Sequence, residues 1–171
     1  MPQNPVTAYF DYNATSSSPT FSITRPADTN AYAAGDVIGP STGSTAAITL
    51  ANVGVAGQLV KFVDGSILIN RIDVPNGQNS FTLRFYNVTP PSAYGDNAAW
   101  DLPSGDRASY LCSVQSDTVI DRGSTLEVVF REPSRFMRLV STSLFAYLTT
   151  DTGFTPNSGT VKTGTLNFAG I

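Results

Sequence analysis

Large apolar residues recur at every second position in several short stretches of the chain. The clearest stretches are residues 81–86 and 126–131, where Phe81, Leu83 and Phe85 mark one face of the first stretch. A period of two is typical of a β-strand that buries one face and exposes the other. The pattern therefore predicts two strands of an antiparallel sheet at these positions.

Clusters of Gly, Pro, Asn and Asp separate such stretches at intervals of about ten residues, the spacing of strands in a sandwich or barrel. Further strands are predicted at residues 20–24, 36–38, 46–51, 107–114, 143–150 and 161–168. Asp64-Gly65 lies between two more, 59–63 and 66–74, and this dipeptide favours the type I′ turn of a tight hairpin. The total is about nine or ten strands.

Apolar residues with helical spacing are nearly absent, because Gly or Pro interrupts almost every stripe. Residues 134–143 are the nearest candidate, and they predict at most one short helix. Antiparallel strands without crossover helices must bury their apolar faces against one another. We therefore predict an all-β fold, an antiparallel β-sandwich that is jelly-roll-like.

The first nineteen residues differ from the rest of the chain. They contain Pro2, Pro5, Pro19, three consecutive serines at 16–18 and the aromatic residues Tyr9, Phe10 and Tyr12. A segment of this composition does not fold alone. We predict an extended N-terminal arm over residues 1–19 and a sandwich domain over residues 20–171. The arm either docks on a neighbouring subunit through its aromatic residues or lies on its own domain.

The amino-acid composition argues against several classes of function. Charged residues make up 13% of the chain, against about 25% in an average domain, and the formal charge is -3, so no positive excess is available for a nucleic acid. The chain has no histidine, the most frequent general base and metal ligand. Its single cysteine, Cys112, closes no intrachain disulfide and is expected to be a buried apolar residue. No apolar stretch approaches the ~18 residues of a membrane span. We expect no enzyme activity, cofactor, metal, nucleic acid or membrane partner.

Two motifs bear on catalysis. Residues 39–43 match the letters of the G-x-S-x-G nucleophile elbow, but without a histidine base we interpret them as a loop. Asp96, Asp101 and Asp106 lie five residues apart. Aspartates beside Gly, Pro and Asn usually form turns, although a calcium site or a pair of hydrolytic carboxylates stays open as an alternative.

Aromatic and arginine residues are the candidates for binding. Tyr94 and Trp100 fill a core, lie in a protein interface, or stack against sugar rings. Arg131, Arg135 and Arg138 either pair with nearby acids or bind a neighbouring subunit, because arginine favours planar, bidentate contacts.

Several segments resemble one known family. These are Arg25-Pro26-Ala27-Asp28-Thr29 with 31–37, the strand 81–86 running into Pro90-Pro91, residues 96–100, and Phe154-Thr155-Pro156. Together they are similar to small structural proteins of tailed bacteriophages, over residues 20–168. No catalytic residue comes with the resemblance.

The resemblance implies a virion component, a head decoration or cement protein that binds the lattice of the phage major capsid protein. It implies a homo-oligomer, with a trimer favoured, on the capsid exterior after assembly in the host cytoplasm. The residues expected to bind partners are Tyr9, Phe10, Tyr12, Arg25, Tyr94, Trp100, Arg135 and Arg138. The alternative is a receptor- or carbohydrate-binding module of a phage tail.

Overall fold

The computed structural model describes residues 16–40, 45–132 and 134–171. In this part of the chain all regular elements are strands, and they form two antiparallel sheets packed face to face. The predicted all-β sandwich is confirmed. The described residues contain no helix with the length and apolar character needed to cross a membrane.

Twelve strands follow one another along the described chain. They are β1 (Ser16–Ser17), β2 (Thr20–Thr24), β3 (Val37–Ile38), β4 (Ile48–Leu50), β5 (Leu59–Ile69), β6 (Phe81–Tyr86), β7 (Tyr110–Gln115), β8 (Ile120–Asp121), β9 (Leu126–Phe130), β10 (Phe136–Arg138), β11 (Leu144–Thr150) and β12 (Val161–Gly170). The bounds predicted for β2 and β6 match those of the structure.

The larger sheet is built around β12 and β5, which pair along most of their length. On its other side β12 pairs with β1 and β2, while β5 pairs with β9 and β10, and β8 lies beyond β9. In the smaller sheet β11 pairs with β3 and β4 on one side and with β6 on the other, and β7 lies beyond β6.

The core lies between the two sheets and is rich in phenylalanine. Phe62 and Phe168 from the larger sheet meet Phe85 from the smaller one, with ring centroids 5.7 to 6.2 Å apart and tilted or edge-on planes. All three are at most 1% exposed. Such contacts add to the apolar area that the two inner faces bury.

The hairpin predicted at Asp64-Gly65 is wrong, because β5 runs unbroken through both residues. Gly65 does not have the positive φ that a type I′ turn needs. It is instead buried against the neighbouring strand, where an added Cβ would lie 2.4 Å from Cδ2 of Leu166. The register of β12 shifts beside it, between Asn167 and Phe168. The glycine therefore serves a close approach at a β-bulge.

The short helix predicted at 134–143 is also wrong. Phe136 to Arg138 form β10, and exposed and buried residues alternate here, with Met137 buried between Phe136 and Arg138. Leu139 continues the alternation. Pairing with β5 thus decides the conformation.

The predicted arm lies mostly outside the described residues, and so do Tyr9, Phe10 and Tyr12. Its last four residues are attached to the domain. Ser16 and Ser17 pair with β12, and the carbonyl of Pro19 accepts a hydrogen bond from the Leu166 amide, 3.1 Å away. These contacts join the chain to the edge of the larger sheet before β2 begins.

Candidate functional site

The outer faces of the two sheets differ. Residues 87–109 lie over the smaller sheet and cover its outward aromatic side chains, so that Tyr86 and Tyr147 are fully buried. Tyr94 packs edge-on against Tyr147, with centroids 5.5 Å apart, and Trp100 donates a 3.0 Å hydrogen bond from Nε1 to the Tyr86 hydroxyl. Burial raises the pKa of Tyr86 to about 12, so this hydroxyl stays neutral. We call residues 87–109 the cover segment.

Trp100 lies in the cover segment with one ring face occupied. The Arg84 guanidinium lies 3.9 Å from its ring centroid, a cation–π contact, and Tyr110 packs beside it at 6.0 Å. A sugar platform needs a free aromatic face, and here an arginine of the same chain covers one of the two faces of the ring. Among the three interpretations of Trp100, packing within the chain is therefore the arrangement seen.

Asp96, Asp101 and Asp106 differ in their burial and in their hydrogen-bond partners. Asp101 accepts a 2.7 Å hydrogen bond from the Leu102 amide, as a turn residue does. Asp106 is fully buried and accepts hydrogen bonds from the amide and hydroxyl of Ser92, which holds the cover segment together. No group of three or more acidic or cysteine side chains that could hold a metal ion occurs within the described residues.

Asp96 belongs to a buried polar cluster at one end of the sandwich. Its carboxylate accepts hydrogen bonds from the Tyr32 hydroxyl (2.6 Å) and the Gly39 amide (2.8 Å). The Arg25 guanidinium donates to the Tyr32 hydroxyl at 2.6 Å and forms ion pairs with Asp28 at 2.8 Å and Asp96 at 3.4 Å. Such a network stabilises only when each member is paired, as these are.

Arg25 was expected to bind a partner, but its side chain has no exposed surface. Arg25 follows β2, and its side chain contacts Asp28, Tyr32 and Asp96. Tyr32 precedes β3, and Asp96 lies in the cover segment. The structure therefore places Arg25 inside the domain as a cross-link between loops. In the described chain the Arg25 side chain therefore offers no surface to a partner.

Lys162 lies beside this cluster and was missed by the sequence analysis. Its side chain points inward from β12 and is only 2% exposed. Burial, reinforced by the positive charge of Arg25 and opposed by Asp96, lowers the pKa of Lys162 to about 8. Lys162 forms no ion pair with any residue that the structure describes.

The outer face of the larger sheet has no cover among the described residues. Apolar side chains stand exposed on it, with Leu68 48% and Phe136 53% exposed. Towards β2 and β12 the same face is made of small hydroxyl side chains, among them Ser22, Thr163 and Thr165. We call this surface the bare face. A shallow depression at the bulge is lined by Val63, Asp64, Ser66, Val129, Arg131 and Asn167.

Arginines border the bare face near β10. Arg138 donates to the Gly57 carbonyl at 2.9 Å, and Arg131 pairs with Asp117 at 2.6 Å. Arg135 is exposed, and its guanidinium makes no hydrogen bond or ion pair to any residue that the structure describes. Arg138 thus lies on the larger sheet, whereas Tyr94 and Trp100 lie over the smaller one. Arg135 precedes β10, and its charge acts on the Cys112 thiol of β7 in the smaller sheet. The predicted contact residues that the structure describes do not form one site.

Comparison with known proteins adds little. No protein-family model and no curated protein matches the chain. A structure of the infectious bursal disease virus Gt strain is similar at 16% identity, covering 90% of this chain and 42% of that chain, with a TM-score of 0.16. A crystal structure of the T13 infectious bursal disease virus particle matches at 15% identity, covering 90% and 39%, also with a TM-score of 0.16. The chain spans less than half the length of these viral chains, and TM-scores this low carry no argument.

Proposed function

We propose that this chain is a structural virion protein that binds the surface of a protein shell, as a head decoration protein does, and acts by binding without catalysis. The bare face carries the proposal. It is open and shallow, it mixes exposed apolar side chains with hydroxyl groups, and arginine borders it. Exposed apolar area with a polar rim is typical of protein docking surfaces.

The strand pairing supports the jelly-roll interpretation. The pairs are nested, β2 with β12, β4 with β11, β5 with β9 and β6 with β7, as when one long hairpin is rolled into two sheets. Jelly rolls occur in viral capsid proteins and in lectins. Because one fold serves many functions, this is an analogy, and it agrees with the resemblance of residues 20–168 to tailed-phage structural proteins.

The proposed partner is the phage major capsid protein, and a homotrimer on the capsid exterior is the proposed assembly. A lattice offers many equivalent seams, so modest contacts multiplied over copies give firm attachment. The bare face supplies a broad contact for such a seam. The tail module that binds a receptor or carbohydrate is the alternative outcome of the test.

A substitution on the bare face tests the proposal. Leu68 lies opposite Glu127 in the β5·β9 pairing, so Leu68→Arg places a cation beside an acid and leaves the fold intact. We expect it to weaken co-sedimentation with capsids that lack the chain by about tenfold in Kd. The matched control is Val88→Arg, which alters an exposed apolar residue of the cover segment. Equal losses from the two variants, or binding to purified host polysaccharide instead of capsids, would contradict the proposal.

A further inference from the structure

Two cations lie at one end of the bare face, beside an exposed aromatic ring. The pairing of β5 with β10 places Phe136 directly opposite Lys61 and Arg138 directly opposite Leu59. Directly opposite residues of two strands lie on the same face of a sheet. Phe136 and Arg138 are exposed on either side of buried Met137, so all four side chains belong to the outer face. We call Leu59, Lys61, Phe136 and Arg138 the basic end.

Both cations of the basic end lack an anionic partner among the described residues. Neither Lys61 nor Arg138 takes part in any ion pair there. Arg138 donates one hydrogen bond to a neutral acceptor, the Gly57 carbonyl. Two positive charges therefore stand open on this end of the bare face.

The sequence offers little that could neutralise them. The segments that form this end contain no aspartate or glutamate; they are residues 46–63, 134–150 and 165–171. The residues outside the described ranges contain one acidic side chain, that of Asp11. Because one carboxylate cannot neutralise two cations, the neutralisation of both needs carboxylates from another molecule.

The basic end is also apolar. Phe136 is 53% exposed, and Leu59 is half-buried in the adjacent strand. Aromatic residues and arginine are enriched where protein interfaces bury most of their area, and they dominate measured binding energies. A nucleic acid fits this end poorly, because the chain has a net charge of -3 and a phosphate backbone offers no pocket for a phenyl ring.

We propose that the basic end binds an acidic patch of the shell protein. The ring of Phe136 enters an apolar pocket there, and carboxylates at the rim of that pocket pair with Lys61 and Arg138. Complementary charge of this kind fixes the orientation of two proteins and speeds their encounter. The inference deepens the proposed function, on which it rests for the identity of the partner as a shell protein.

Amine labelling followed by mass spectrometry tests the inference at the basic end itself, because Lys61 and Lys162 are the only lysines of the chain. In the dilute free chain we expect Lys61 to react and Lys162, which is 2% exposed, to stay unmodified as the internal control. Capsids that lack the chain, added at about ten times Kd, are expected to slow the labelling of Lys61 by about tenfold.

Substitutions provide a second arm of the test. Lys61→Glu, Arg138→Glu and Phe136→Ala are each expected to raise the Kd for these capsids by about tenfold or more. The matched control is Arg107→Glu, which makes the same change in net charge at an exposed position of the cover segment. It is expected to change the Kd by less than about twofold.

Several results would overturn the inference. Lys61 that does not react in the dilute free chain would show that the chain covers the basic end itself. Protection of Lys61 when the chain alone is concentrated, or when double-stranded DNA is added, would identify a different occupant. Equal losses in Arg107→Glu and Arg138→Glu would show that only net charge matters.

The proposed function is tested separately by Leu68→Arg, at the opposite end of β5. If Leu68→Arg weakens capsid binding while the three variants of the basic end bind like wild type, the inference is overturned and the proposed function stands. If the wild-type chain does not bind capsids, both are overturned.

Discussion

At the scale of single residues, Lys162 is the most unusual side chain of the domain. It occupies an inward position of β12, in register with Ile23 on one side and Ile69 on the other. A lysine at such a position must bury its charge or lose its proton. Because burial lowers its pKa from the ordinary 10.5 to about 8, Lys162 is charged in the folded domain at neutral pH and opposes folding.

This makes the free energy of unfolding depend on pH. Between about pH 8 and about pH 10.5 the unfolded chain binds more protons at Lys162 than the folded domain, so the stability rises with pH in that window. Below the window the full cost of the buried ammonium is present. We expect Lys162→Met to stabilise the domain by up to about 3 kcal/mol near pH 7, at ~1.36 kcal/mol per pKa unit.

Urea unfolding of the wild type and of Lys162→Met at about pH 7 and about pH 9.5 measures this difference. The gain is expected to shrink as the pH rises. Lys61→Met, at an outward position of β5, is the control and is expected to change stability by less than about 0.5 kcal/mol. A gain that stays constant with pH would show that the charge of Lys162 costs nothing.

The inward direction of Lys162 was predictable from the sequence. Period two along 161–168 places Lys162 on the same face as Leu166 and Phe168, so its inward direction follows from the sequence alone. The identity of the charged residues near Lys162 does not follow from the sequence. Arg25 and Asp96 come from segments that only the folded sheets bring near β12, and no local spacing joins them.

At the scale of elements, the cover segment explains why the two faces of the sandwich differ. The Trp100–Tyr86 hydrogen bond attaches the cover segment to the smaller sheet. Within the segment, the Ser92 amide donates a hydrogen bond to the Asp106 carboxylate. We expect Asp106→Ala to leave the Ser92 amide unsatisfied and to cost about 1–3 kcal/mol of stability. Because Trp100 is the only tryptophan, its fluorescence reports on this segment alone.

Acrylamide quenching of Trp100, measured with thermal unfolding, checks this expectation. Quenching should increase in Asp106→Ala. In Asp101→Ala it should stay close to wild type, because Asp101 is exposed and, among the described residues, its side chain accepts a hydrogen bond from the Leu102 amide alone. Unchanged quenching in Asp106→Ala would mean that aromatic packing alone holds the cover segment in place.

Elements with strong alternation were predicted correctly, and those decided by distant contacts were not. Thr20–Thr24 and Phe81–Tyr86 have the bounds that their apolar period gives. Asp64-Gly65 has the letters of a turn, yet close packing on Leu166 keeps β5 extended. Phe136–Arg138 forms a strand because β5 offers it a pairing edge. A local sequence pattern carries no information about Leu166, which packs on Gly65, or about β5, which pairs with β10.

At the scale of the whole molecule, the described residues leave one outer face of the sandwich covered and the other bare. The bare face joins residues from strands far apart in sequence, such as Leu68 and Phe136, which is why sequence reasoning named single aromatic and arginine residues and missed the surface. Tyr94 and Trp100 turned out to pack within the chain. Arg138, which borders the bare face, stays a predicted contact residue.

The number of copies in purified virus particles tests the central claim, adhesion to a repeating protein shell, most directly. Quantitative gel densitometry of this chain against the major shell protein of the same particles gives that number. Hundreds of copies per particle, in a fixed ratio to the shell protein, are the expected result. One copy or a few per particle would contradict a role on the shell.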